Sequence, residues 1–429
     1  MPCVKVFELY KAGKAALGSR LFAGLVGAAD WTAERFGVFS APLVADDLIR
    51  QTRERSGLGD FGEWQIEAPL QALVDAYNGE ARLNVFGRAA ATWDLHRFLS
   101  NLLRFRLEEK STPAILTEPL LAPIFVLGLP RSGTTFLHNL LSLDESLLAP
   151  RCWQTIYPYP LRAGGQQRDR RADMVERKLR TFARLAPEIR SLHPFNARSP
   201  QECTEITAHV LQSRRFDTTH HVPSYRRWLR SAGDGEAYRF HRRFLQHLQY
   251  QSGTRKRWVL KCPDHTFAWK ALRAAYADAF FVFVHRDPMK ILPSVAKLTE
   301  VIRRPFTRSV DRHEIGRQVS DDWVEGAARL VEMHERSELR AGTSFHVRYN
   351  ELVGAPLRSV ARLYERLGLT LAPHTERAIN EYLEARPRGG YGRNLYRFDE
   401  FGLNPAREKE RFRRYVEVFG IEQEASAAS

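Results

Sequence analysis

Two patterns of apolar positions divide the chain. Up to about residue 110 they recur at helical spacing. Leu95, Phe98, Leu99 and Leu102 fall at i, i+3, i+4 and i+7, which predicts a helix with one buried face. Ser111-Thr112-Pro113 breaks this pattern, and short unbroken apolar runs follow. Pro123-Ile124-Phe125-Val126-Leu127-Gly128 carries β-branched residues and closes on glycine, as a strand buried on both faces of a parallel sheet does. Trp258-Val259-Leu260-Lys261 and Phe280-Phe281-Val282-Phe283-Val284-His285 are similar runs, Ser344-Phe345-His346-Val347-Arg348-Tyr349 is a fourth candidate, and helical stretches lie between. That alternation predicts an α/β fold, a parallel sheet flanked by helices. An N-terminal helical region, residues 1–110, is expected to pack on a main domain at 111–421. Residues 422–429 are expected to form a disordered tail. A long helical insertion, about residues 151–250, separates the first two runs, and insertions beside a ligand-binding edge shape pockets.

Composition narrows the classes. A hydrophobic share of 44% over 429 residues is that of an ordinary globular protein and argues against disorder. The net charge of +15, from 65 basic and 50 acidic residues, suits nucleic acid, an anionic membrane surface or a small polyanion. It is spread through helices with interleaved acids, which is the pattern of solvated faces. Cys3, Cys152, Cys203 and Cys262 are scattered and off metal-ligand spacing, so they read as reduced thiols of a cytoplasmic protein. The most apolar N-terminal stretch, residues 15–29, is interrupted by Arg20 and three glycines. It falls short of the roughly 20 apolar residues a membrane span needs, so no transmembrane segment is expected. A helix docked on the protein itself is the expectation, and peripheral membrane contact through that helix stays open.

The first strand runs into Gly128-Leu129-Pro130-Arg131-Ser132-Gly133-Thr134-Thr135-Phe136 and then a helix. Two glycines let the backbone approach a ligand, and the free N–H groups of the helix start point at it. Ser132, Thr134 and Thr135 add hydroxyls, and Arg131 a fixed positive charge. The spacing is that of a P-loop, but Thr134 stands where the metal-dependent NTPases have lysine. No metal site is expected, since His220 and His221 are adjacent and lack a helical partner.

With this loop the chain resembles the sulfotransferases that use 3′-phosphoadenosine 5′-phosphosulfate (PAPS), in the bacterial-type branch that is also similar to tyrosylprotein sulfotransferases. The resemblance covers about residues 123–421 and implies the sulfotransferase fold with a P-loop-type sheet. It implies that the loop from Arg131 through Ser132, Gly133, Thr134 and Thr135 to Phe136 holds the 5′-phosphosulfate, with Arg131 near the bridging oxygen. It also implies that Arg286 and Ser294, eight positions apart, bind the 3′-phosphate. An arginine fork pairs with phosphate, and two helical turns on a hydroxyl can join it. Arg388 and Arg393 resemble the family's basic, glycine-rich segment that closes over the nucleotide.

For chemistry, sulfuryl transfer is in-line and rests on positioning and on cations that meet charge at the leaving oxygen. Arg131 is the first such cation. Lys261, in Leu260-Lys261-Cys262-Pro263, resembles the family's Lys-x-Pro element at the reaction centre. The acceptor needs a base. Gln154 stands near where relatives often have glutamate and cannot take a proton. His265 and Glu202, the latter in Ser199-Pro200-Gln201-Glu202, resemble bases of the family, and the choice between them stays open. The acceptor is expected to be a small molecule with a hydroxyl or amine, partly apolar from Trp153, Tyr157, Tyr159, Phe195 and Phe216. Two rivals remain: a P-loop kinase or ATPase using ATP and Mg²⁺, and a non-enzymatic nucleic-acid-binding protein. The resemblance implies no nucleic-acid partner.

Overall fold

The computed structural model describes residues 41–160, 169–336, 342–385 and 397–424. Three helices come first: α1 (Ala45–Ser56), α2 (Glu67–Gly79) and α3 (Val85–Ser111). Asn84 caps α3 by accepting the Gly87 amide hydrogen at 2.7 Å, and Leu95, Phe98, Leu99 and Leu102 are fully buried along it, as their spacing predicts. The helix stops at Ser111, where Pro113 begins a single 3₁₀ turn.

Strand β1 (Ile124–Leu127) leads into α4 (Thr134–Leu141), and a two-residue strand, β2 (Leu147–Leu148), lies beyond it. The insertion is not one continuous helix. It divides into α5 (Arg171–Leu185), several helical pieces of four to ten residues, and α6 (Gly235–Ser252). Then come β3 (Arg257–Lys261), β4 (Phe280–His285), α7 (Pro288–Arg303), α8 (Arg312–Glu335), β5 (Ser344–Arg348), α9 (Pro356–Leu367) and α10 (Pro373–Glu384). The five strands pair in the order β2-β3-β1-β4-β5, all parallel, with Phe125 of β1 opposite both Leu260 and Phe281.

The strands are apolar on both faces because both are covered. Phe125, Leu127, Leu260, Phe281 and Phe283 join one core, together with α1, α2, α3, α6 and α8. Ile124, Val126, Val259, Val282 and Val284 join a second core with α4, α9 and α10. The helical N-terminal region therefore shares its core with the sheet. A partly buried quartet adds to this contact: Arg97 pairs with Asp94 and Glu205 at 2.7 and 2.6 Å, and Arg215 pairs with the same two acids at 2.6 and 2.7 Å. Each charge faces two opposites, the condition under which burial of ions is tolerated.

The interior also holds histidines kept neutral by their surroundings. Burial pushes His138, His209, His220 and His241 down to about 3. Phe216 and Tyr159, expected to face an acceptor, are core residues: Phe216 packs edge-on to Phe98, and the Tyr159 hydroxyl bonds His247.

Candidate active site

A parallel sheet offers ligands the edge where its strands end, because loops and helix starts converge there. Here β1, β3 and β4 deliver the loop, Lys261 and Arg286 to that edge. The loop is built on unusual backbone. Gly128 and Gly133 have φ of 143° and 98°, and a Cβ at Gly128 would lie 2.3 Å from the Val284 carbonyl oxygen. Arg131 also has a positive φ, 63°, a strained state for a residue with a side chain.

Its contacts hold it there. The Arg131 Nε donates to Ser294 Oγ at 3.0 Å, and a terminal nitrogen donates to the Leu192 carbonyl at 2.6 Å. The Arg131 carbonyl accepts from Arg286 at 2.9 Å. Arg131, Ser294 and Arg286, distant in sequence, thus form one connected group. The Arg286 guanidinium also lies 3.8 Å over the Tyr349 ring, and a Cβ at Gly133 would meet the same ring at 3.0 Å. Tyr349 thereby touches both the loop and the arginine. The remaining edge of Arg286 forks onto the Glu424 carboxylate at 2.7 and 2.9 Å. Glu424, in the stretch expected from sequence to be a disordered tail, is thus held on Arg286.

Lys261 ends β3 with 2% of its surface exposed. Its ammonium donates to Thr135 Oγ1 at 3.0 Å and pairs with Glu202. Burial raises the proton affinity of Glu202, but Lys261 and His193 outweigh it, and its carboxyl is held below the usual range. His193 belongs to the same electrostatic neighbourhood: burial pushes it down to about 4, Glu202 opposes that, and Lys261 and Arg131 add to it. Ser132 is fully buried, and its hydroxyl oxygen has no hydrogen-bond partner among the described residues. A buried orphan hydroxyl inside a loop of this shape fits a bound anionic oxygen.

His265 is placed elsewhere. It is 1% exposed, its Nδ1 bonds the Tyr238 hydroxyl at 2.5 Å, and its ring packs on Phe125 and His241. Burial takes it well below the ordinary histidine range. None of these partners belongs to the loop. Phe136 turns from the loop as well and packs against the second core. Gln154 caps its own short helix by accepting the Arg151 amide hydrogen. Arg388 and Arg393 lie outside the described residues.

A polar cavity of about 310 Å³ lies beside Cys203 and Cys262, the residues that follow Glu202 and Lys261, and Arg214, Tyr238, Asp264 and His265 help to line it. Burial, with added repulsion from Glu202, Asp322 and Asp234, pushes Asp264 up to about 6 although Arg214 opposes it. Cys152, Cys203 and Cys262 are free and buried. No helix among the described residues is long and apolar enough to cross a membrane.

Of the residues singled out from sequence, the structure brings together the loop, Arg286, Ser294, Lys261 and Glu202, and it adds Tyr349, His193 and Glu424, which sequence reasoning did not name as site residues. Tyr349 had a usable signal. It follows directly on β5, and neighbouring parallel strands end at one edge.

Comparison with known proteins agrees with this geometry. The family described as "Sulfotransferase family" matches residues 123–373. The omega-hydroxy-beta-dihydromenaquinone-9 sulfotransferase Stf3 of Mycobacterium bovis is 27% identical over 368 residues, covering 78% of this chain and 90% of that protein. Among solved structures, sulfotransferase STF1 of Mycobacterium tuberculosis H37Rv is similar with 30% identity and a TM-score of 0.73, covering 86% of this chain and 98% of that one. STF9 of Mycobacterium avium gives 27% identity and a TM-score of 0.79, with 89% and 98% covered.

Proposed function

The chain belongs to the sulfotransferase family and is an enzyme that transfers a sulfuryl group, and from that premise we propose that its donor is PAPS, held between the 128–136 loop and Arg286 with Ser294. The observation that carries this reading is the linked pair of contacts from Arg131, to Ser294 Oγ at 3.0 Å and to Arg286 at 2.9 Å. That link supports the reading that the loop and Arg286 serve one nucleotide. Bound there, the donor supplies an activated sulfuryl group on a phosphate leaving group.

The chain's own residues then have separable tasks. Backbone N–H groups at the start of α4 and the Ser132, Thr134 and Thr135 hydroxyls cradle the 5′ end, and Arg131 sets a fixed charge beside it. Arg286 fixes the 3′ end, with Ser294 beside it and Tyr349 holding the guanidinium plane. Lys261, already on Thr135, is placed to meet charge growing on the leaving oxygen. Glu202 is the base we assign to the acceptor. It is ionised at neutral pH and sits against Lys261, whereas His265 is tied to the Tyr238 hydroxyl and held well below the ordinary histidine range. The acceptor we propose is a small molecule presenting a hydroxyl or amine. A hydroxyl has the support of the Stf3 relative, whose name gives a hydroxylated menaquinone. The free buried thiols support a reducing compartment, the cytoplasm.

Thermal denaturation with 3′,5′-ADP, ADP or ATP, each with EDTA or Mg²⁺, tests the donor assignment. A ligand at 100 times its Kd adds about 2.7 kcal/mol to the native state. Stabilisation by 3′,5′-ADP in EDTA is expected. A response confined to ATP with Mg²⁺ would overturn it.

A further inference from the structure

Among the described residues Arg286 makes three contacts within the chain, and they differ in kind. One terminal nitrogen donates to the Arg131 carbonyl, the flat face rests on Tyr349, and the remaining edge grips a carboxylate through two parallel bonds. That edge is the one a phosphate uses, since carboxylate and phosphate both offer an arginine two oxygens at matching spacing. On the reading that Arg286 takes the 3′-phosphate of the donor, we propose that Glu424 is an internal stand-in for that phosphate, so that the 421–424 segment must leave before the donor seats.

The segment is built to leave cheaply. The last helix, Arg413–Phe419, ends at Gly420 with φ 57°, and the Ile421 amide turns back to the Val416 carbonyl at 3.0 Å. Beyond this left-handed glycine, residues 421–424 adopt no helix or strand, and residues 422 and 423 are exposed. Only Ile421 adds apolar contact, at the rim of the first core. What pins the end is polar: the fork on Arg286 and the Glu424 amide, which donates to Asp287 Oδ2 at 3.1 Å. Asp287 spends its other oxygen capping α7 at Met289, so release of Glu424 leaves that cap intact. With so few apolar contacts, the segment can open locally once its part-buried fork on Arg286 is exchanged for the phosphate's.

The consequence is a competition. If the closed form holds nine molecules in ten, the apparent affinity for a 3′-phosphorylated nucleotide is about tenfold weaker than the open site allows. A nucleotide lacking the 3′-phosphate pays no such penalty.

Calorimetric titration of 3′,5′-ADP and of 5′-AMP into wild type, Glu424→Gln and Arg286→Ala separates the outcomes. Glu424→Gln keeps the side-chain volume and removes the charged fork. The expected result is about tenfold tighter 3′,5′-ADP with 5′-AMP unchanged. Unchanged or weaker 3′,5′-ADP binding in Glu424→Gln, while Arg286→Ala loses affinity, would overturn the stand-in and leave the donor assignment standing. If wild type does not distinguish the two nucleotides and Arg286→Ala binds like wild type, the donor assignment itself falls and the stand-in with it. Amide exchange in wild type gives a second readout: 3′,5′-ADP should speed exchange at residues 421–424. Slower exchange would mean that the segment closes over the nucleotide, which contradicts the proposal.

Discussion

Glu202 keeps its negative charge where burial works against it, because Lys261 and His193 face it. Replacing it with glutamine removes the carboxylate we assign as the base. Turnover should fall by about 10²- to 10⁴-fold while 3′,5′-ADP affinity stays within a few-fold. Steady-state kinetics beside calorimetry checks this, and near-normal turnover would assign the base elsewhere. Asp264 is the opposite case. Its folded pKa of about 6 exceeds the ordinary value of a carboxyl, so its protonated form suits the fold. The stability it lends is full below about pH 4 and is lost as pH rises through 6, a swing of up to about 3 kcal/mol. Asp264→Asn should therefore raise the melting temperature at pH 8 and not at pH 4; an equal effect at both would sink the idea. At this scale legibility was uneven. Arg286 and Lys261 end strands, so a local apolar run pointed to them. His265 follows such a run too, but sequence order does not say that its ring turns under Phe125 into the core.

Among elements, β1 and β4 were readable as unbroken apolar runs, while β3 and β5 offer less, Trp258-Val259-Leu260 in one and Phe345 alternating with Val347 in the other. β2, with two residues, carries no such pattern. The insertion shows a different limit. Its helical periodicity was visible, but its division into short pieces depends on tertiary partners such as Glu205 on Arg97 and Arg215. Helix contacts with neighbouring turns give a direct test. Gly316 of α8 faces the 3₁₀ turn Asp399–Phe401, and a Cβ there would lie 2.0 Å from the Phe401 carbonyl oxygen. Gly316→Ala must push that turn away, and we expect a cost of about 1–3 kcal/mol in urea unfolding. A gain, as helix propensity alone would give, would show that the turn moves freely.

At the scale of the whole molecule, sequence marked two regions with different grammars, and that contrast suggested a boundary near residue 110. Packing crosses it: α1 to α3 share one core with β1, β3 and β4, and Arg97 of α3 is bound to Glu205 of the insertion. Such contacts join residues over a hundred positions apart, and no local pattern announces them. The neutral histidines sealed inside have a wider consequence. An unfolded chain protonates these rings near pH 6.5, while His138, His209, His220 and His241 resist until about 3. Stability contributed this way is full above 6.5 and drains as pH falls, by about 1.4 kcal/mol per pH unit for each ring. Circular dichroism melts at pH 7.5, 5.5 and 4.5 should show a steep decline, and a flat profile would contradict it. The expected consequence is that the four sealed rings make the fold less stable in a mildly acidic buffer than at pH 7.5.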